Sequence, residues 1–152
     1  MEAQPVNNHF LFWQKWLFIS SIIFAIAGLV FALCGALGIP SPYDTLLAGI
    51  FWHAKTFPPA AAPFRGFIYG PLGGTITCCY TLLAFIAYYP FREKKRWARN
   101  AIIVAFTMWV IIDSLACIYF GVYPQIYIIN LFSITVKALP IIFTWKDFKR
   151  GV

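Results

Sequence analysis

Between Leu17 and Gly38 the chain carries no charged side chain. At about 1.5 Å per residue, such a run is long enough to cross the roughly 30 Å hydrocarbon core of a bilayer as a helix. Three more apolar runs follow. The second opens near Phe64 and spans about 66–89, the third covers about 98–120, and the fourth about 125–145. In lipid a helix satisfies its own backbone, so four such runs predict an all-α polytopic membrane protein, a four-transmembrane-helix bundle. Composition agrees: 11% of residues are charged and 61% hydrophobic, where a soluble domain carries about 25% charged residues. A water-soluble fold of 152 residues could not hide that much apolar surface. The length fits a single integral membrane domain over 1–152.

The flanks of each run carry the expected punctuation. Trp13, Lys15 and Trp16 precede the first run as an interfacial belt. No Ala-x-Ala exit follows it, so it reads as a retained helix and not as a signal peptide. Gly28 and Gly35 share one face, where small residues let another helix approach closely. Pro40 and Pro42 end the run. In the second run Gly70-Pro71-x-Gly73-Gly74 predicts a kink or close packing. Tyr88, Tyr89 and Pro90 mark its far interface. Gly121, Tyr123 and Pro124 form a very short turn between the third and fourth runs, which makes those helices antiparallel neighbours.

The stretch 43–63 is too short to span. Tyr43-Asp44-Thr45 resembles a helix start in which Asp44 or Thr45 caps. Leu46, Leu47, Ile50 and Phe51 follow at helical spacing, so a short interfacial helix on the outer face is expected. Pro58, Pro59 and Pro63 make a stiff connector behind it.

Basic residues set the orientation. Lys15, Arg92, Lys94, Lys95, Arg96, Arg99, Lys146, Lys149 and Arg150 fall on one side of the four spans, and only Lys55 and Arg65 on the other. By the positive-inside rule both termini are cytoplasmic and the 43–63 segment is outside, as in a multi-pass protein of the cell (inner) membrane. The net charge of +7 is thus an orientation signal beside anionic lipid headgroups, and nucleic acid is not an expected partner.

Two ionisable residues lie deep in these runs. Asp113 lies roughly 12 Å from the Gly121 turn, and Lys137 roughly 18 Å from Gln125. A lysine stem covers most of that offset, so an Asp113–Lys137 pair is feasible, and Lys137 has the alternative of snorkelling. A lone charge at mid-membrane costs about 2.5–3.5 kcal/mol on insertion scales. Asp113 therefore needs Lys137, Arg65 or a proton. Asn130 and Ser133 share the face of Lys137, Trp109 lies one turn before Asp113, and Tyr69, Gly73, Ile76 and Tyr80 form one face of the second run. Asp113, Lys137, Asn130, Arg65, Trp109, Tyr69 and Tyr80 together make either a structural polar lock or a site for a small apolar or amphiphilic ligand, opening under the 43–63 segment.

No motif for hydrolysis, nucleotide binding or metal binding occurs, so no catalytic residue, cofactor or metal is assigned. Cys34, Cys78, Cys79 and Cys117 read as small buried hydrophobes, and His9 and His53 as solvated interfacial residues.

Phe64-Arg65-Gly66, Gly70-x-x-Gly73-Gly74, Pro90-Phe91-Arg92, Trp97-Ala98, Trp109-x-x-x-Asp113-Ser114, Gly121, Asn130 and Leu139-Pro140 resemble small bacterial four-helix membrane proteins. The architecture is similar to the DoxX-like and EXPERA-like groups. EXPERA members imply sterol binding or isomerisation with paired intramembrane acids, whereas this chain has one such acid, so no catalytic residue is carried over. Three functions fit the sequence: a bundle that binds a lipid, quinone or similar ligand, a small accessory subunit of a larger membrane complex, or an enzyme on a membrane-embedded substrate. The partners implied are membrane lipids, other membrane subunits, or a second copy of the chain.

Overall fold

The computed structural model describes residues 8–149; Arg150, counted above with the basic residues, lies outside them. Among the described residues there is no strand. Five helices follow one another: α1 (Asn8–Ala36), α2 (Pro42–Trp52), α3 (Ala62–Tyr88), α4 (Arg96–Tyr119) and α5 (Tyr123–Thr144). All but α2 are long and apolar enough to cross a membrane. The chain is a multi-pass all-α bundle, as the four runs predict.

The main difference in span is at α1, which begins at Asn8 well before the apolar run. No Pro or Gly interrupts residues 8–16, and extending a helix is easy once its first turn exists. The aromatic belt therefore forms the opening turns of the helix itself. Gly38, at φ 70°, stops α1. The Gly38 amide donates to the Gly35 carbonyl (3.3 Å) and the Ile39 amide to that of Cys34 (2.9 Å), a left-handed C-terminal stop followed at once by Pro40.

α2 is the expected short helix, but its cap is neither Asp44 nor Thr45. Ser41 is the N-cap: its hydroxyl accepts from the Asp44 amide, while the Asp44 carboxylate accepts from the Ser41 amide at 2.6 Å. Ser41-Pro42-x-Asp44 is a reciprocal capping box with proline at the first helical position. The connector behind α2 tightens into a single 3-10 turn at Pro59–Ala61, and Pro63 sits in the first turn of α3.

α1 and α3 are antiparallel and pack backbone to backbone. A Cβ placed on Gly28 would lie 2.8 Å from the Thr77 amide nitrogen, one on Gly73 would lie 2.5 Å from the Gly28 carbonyl, and one on Gly35 would collide with the Tyr69 Cβ. Gly28, Gly35 and Gly73 are thus the small residues that permit the approach. α3 runs unbroken through Pro71, and the Gly70 and Gly74 positions face open space. The Thr77 hydroxyl lies 3.2 Å from the Ala25 carbonyl across the seam.

At the end of the bundle that carries both chain ends, Phe10, Phe91 and Phe148 pack together and are essentially buried. Gln14 donates to the Ala87 carbonyl at 2.9 Å nearby. α4 lies outermost: only 11% of its most apolar window is buried, against 28% for the α3 span. Gly121, at φ 72°, turns the chain into α5. α5 opens with one α-turn, then a π-helix at Ile126–Asn130, then a regular helix from Leu131. Nothing in the apolar pattern announces that π-turn.

Candidate functional site

Three features line up along the bundle: a polar knot under α2, a single carboxylate held by amides near the α4–α5 turn, and a buried lysine beside an apolar groove.

The knot is built on Asp44, which the capping box holds at the base of α2. Arg65, in the first turns of α3, donates from Nε to Oδ1 at 2.8 Å and from Nη2 to Oδ2 at 2.7 Å. Nη2 also lies 2.6 Å from the Ile39 carbonyl. The Tyr69 hydroxyl, one turn further along α3, donates to Oδ1 at 2.6 Å. Its ring stacks on Phe31 of α1 at 4.3 Å. Burial alone would raise the Asp44 carboxyl, but the Arg65 and Tyr69 hydrogen bonds outweigh it and hold the group below the ordinary carboxylate range.

Asp113 sits one relay further in. The Gln125 amide donates to its two oxygens at 3.1 and 3.0 Å, Asn130 Nδ2 donates to Oδ2 at 2.7 Å, and Cys117 Sγ lies 3.5 Å from Oδ2. Gln125 Oε1 in turn accepts from the Tyr43 hydroxyl of α2 at 2.5 Å. Burial, and then the Asp113 charge, push the Tyr43 hydroxyl up to about 12. The π-turn ends at Asn130, whose amide also reaches the Ser114 hydroxyl at 3.3 Å. Such turns re-aim side chains within otherwise regular helices.

Lys137 is the correction. It does not pair with Asp113, whose oxygens are taken by neutral amides, and it does not snorkel. The residue is 1% exposed, and its Nζ has no hydrogen-bond partner among the described residues. Nζ instead lies 3.7 Å from the Phe24 ring centroid and 4.9 Å from that of Tyr80. These two rings stack on each other at 4.8 Å. Cation–π attraction is strongest where water is excluded. Arg65, the other candidate partner for Asp113, is committed to Asp44.

The seven sequence-predicted residues therefore separate. Arg65 and Tyr69 join Asp44. Asn130 joins Asp113. Tyr80 joins Lys137. Trp109 is half-buried, with its ring edge against Phe106. Under α2 the polar side chains are joined by direct hydrogen bonds to one another, Arg65 and Tyr69 to Asp44 and Tyr43 to Gln125. The residues that sequence reasoning does not place in these networks are Asp44 and Gln125: both lie near helix starts, and neither is a charge deep within a span. Cys78 and Cys79 are a further correction: they are exposed on the outer face of α3, and only Cys117 is buried. A cysteine on a lipid-facing side is as apolar as its neighbours, so residue type alone does not place it inside.

A groove of about 450 Å³ runs between α1 and α5. Ile19, Ile23, Phe24 and Ala27 line it from α1, Phe132 and Val136 from α5, and Trp16 at one end. Its wall is wholly apolar; Ser20 turns its hydroxyl back to the Leu17 carbonyl at 3.1 Å. Ile19, Ile23 and Phe132 are exposed, so the groove opens sideways. Phe24 belongs to both structures, lining the groove on one side and covering Lys137 on the other. No family model matches this chain, and no match was found among curated proteins or solved structures.

Proposed function

We propose that this membrane protein holds a small apolar ligand, such as a lipid chain or a quinone, in the groove between α1 and α5. One observation carries the reading: the groove is wholly apolar, opens sideways towards the hydrocarbon, and has a volume of about 450 Å³, within the range usual for small-molecule sites. The Asp44–Arg65–Tyr69 knot and the Asp113–Asn130–Gln125 cluster are then structural, since their hydrogen bonds are made within the protein. That engagement also argues against Asp113 as an acid or base.

The nine-to-two division of basic residues supports cytoplasmic termini in the cell (inner) membrane, with α2 on the outer side and Arg92–Arg99 beside anionic headgroups. The low burial of α4 favours a second reading, a small accessory subunit that meets another membrane chain, or its own copy, along that helix.

The test is quenching of Trp16, at the end of the groove, by a brominated single-chain lipid in detergent. Wild-type protein should quench saturably, and Ala27→Leu, which fills the groove without changing a fluorophore, should weaken binding at least tenfold. Quenching that never saturates, or that Ala27→Leu leaves unchanged, removes the groove reading. Native mass spectrometry of the same sample reads partner chains directly.

A further inference from the structure

We propose that Lys137 is the polar anchor of this groove: its Nζ binds an oxygen acceptor on the ligand, and the Phe24 ring is the door between them. The inference rests on the groove reading above. Its starting point is a deficit. Lys137 brings three N–H donors into the middle of the bundle, and none finds an acceptor among the described residues. The deep carboxylate that could have answered it is occupied by Gln125, Asn130 and Cys117. Two aromatic faces offset part of the charge but accept no conventional hydrogen bond.

The groove supplies the missing side. Phe24 forms part of its wall while its ring lies 3.7 Å from Nζ. Val136, next in sequence to Lys137, lines the groove from α5. A turn of one aromatic side chain therefore separates the ammonium from a ligand lying in the groove. The ligand class follows: an apolar skeleton bearing a carbonyl-type oxygen, either a carboxylate or the neutral carbonyl of a ketone or quinone. A plain hydrocarbon would fill the groove and leave Nζ unanswered. With the door turned, Tyr80 still offers its ring to the lysine, so the open state keeps part of the cation–π contact.

The experiment compares three single-chain probes of equal length, brominated at the same position and differing only at the head: a hydrocarbon, a methyl ketone and a carboxylic acid. A hydrogen bond to a charged group adds about 1.5–3 kcal/mol, roughly tenfold or more in affinity. The acid, the ketone or both should bind at least tenfold more tightly than the hydrocarbon, and the order of the two identifies the acceptor. Lys137→Met should erase that advantage and leave the hydrocarbon unchanged. Equal binding of all three to the wild type overturns the anchor while leaving the groove reading intact. Failure of all three to bind overturns both. A second measurement does not depend on how Lys137→Met folds. A membrane-permeable amine-reactive reagent, read by peptide mass spectrometry, should modify Lys137 slowly in the wild type and at least tenfold faster in Phe24→Ala. Phe106→Ala, which loosens Tyr80 without touching the groove, should leave the rate low. Equal rates in all three proteins overturn the door.

Discussion

Arg65 holds Asp44 with a two-pronged grip, Nε on one carboxylate oxygen and Nη2 on the other, at 2.8 and 2.7 Å. The grip joins the first turn of α2 to the first turns of α3, and through the Ile39 carbonyl it reaches the stop of α1. Both partners are buried. Removing one partner of a buried pair costs on the order of 3 kcal/mol, because the other is left desolvated and alone. Asp44→Ala and Arg65→Ala should each lower thermal stability in detergent by about that much. Arg65→Lys should recover less than half of it, since an ammonium cannot reproduce the fork. The double variant should be more stable than the sum of the single losses implies.

The same knot gives a pH dependence with a definite sign. The Asp44 carboxyl is held below its ordinary range, and an unfolded aspartate titrates near pH 3.9. Its contribution is therefore fully present above about pH 4 and is lost as pH falls through the lower folded value. Tyr43 behaves oppositely: its hydroxyl is pushed up to about 12, against about 10 when unfolded. Its contribution is present below about pH 10 and is lost as pH rises from there towards 12. Melting curves across pH should show both limbs, with Asp44→Asn flattening the acid one and Tyr43→Phe the alkaline one.

Glycine substitutions in α1 and α3 should divide by position. Gly73→Ala places a methyl 2.5 Å from the Gly28 carbonyl and 2.7 Å from the Ala32 Cβ. Backbone cannot step aside as a side-chain tip can, so a loss of about 1–3 kcal/mol is expected. Gly28→Ala and Gly35→Ala meet the same seam and should behave alike. Gly70→Ala and Gly74→Ala face open space and should be neutral or slightly stabilising. Resistance to a denaturing detergent ranks the five variants.

Asp113 and Lys137 should act independently. They share no hydrogen-bond partner, so the stability changes of Asp113→Asn and Lys137→Met should add to within about 0.5 kcal/mol in the double variant. Asp113→Ala should cost more than Asp113→Asn, because it strips acceptors from both Gln125 and Asn130. A coupling well above that margin, measured by thermal unfolding, would mean the two side chains communicate after all.

Orientation has its own test. Alkaline phosphatase fused after Lys55 should be active outside the cytoplasm, and the same fusion after Lys95 inactive. A fluorescent protein at the C-terminus should mature inside the cell. The reverse pattern would overturn the cytoplasmic placement of the termini.

The architecture was legible because each part rests on one-dimensional signals: run length for the spans, a short turn for the α4–α5 neighbours, and Gly28 with Gly35 for the close seam. The side-chain network was less so. Facing angles in a helix shift with every added or removed backbone unit, and the π-turn at Ile126–Asn130 adds one that apolar periodicity does not report. It alters the phase of everything beyond it, including Lys137 relative to Asp113. The helix-start pattern presents Asp44 as a cap, whereas it is the third-position partner of the Ser41 cap and the acceptor for Arg65. Ser41-Pro42-x-Asp44 marks the helix start, but only the return of α3 to the same end of the bundle brings Arg65 to it. The two deepest charges invite pairing on depth alone, and depth is one coordinate of three.

Both ends of the bundle are stoppered: Phe10, Phe91 and Phe148 fill one, and the Asp44 knot straps α2 across the other. On the proposed groove reading, a visitor to Lys137 would arrive from the side. The bilayer, not the aqueous phase, is then the solvent in which occupancy is decided. What governs it is the mole fraction of the visitor among neighbouring lipids, so a compound vanishingly dilute in the surrounding water can still saturate the protein.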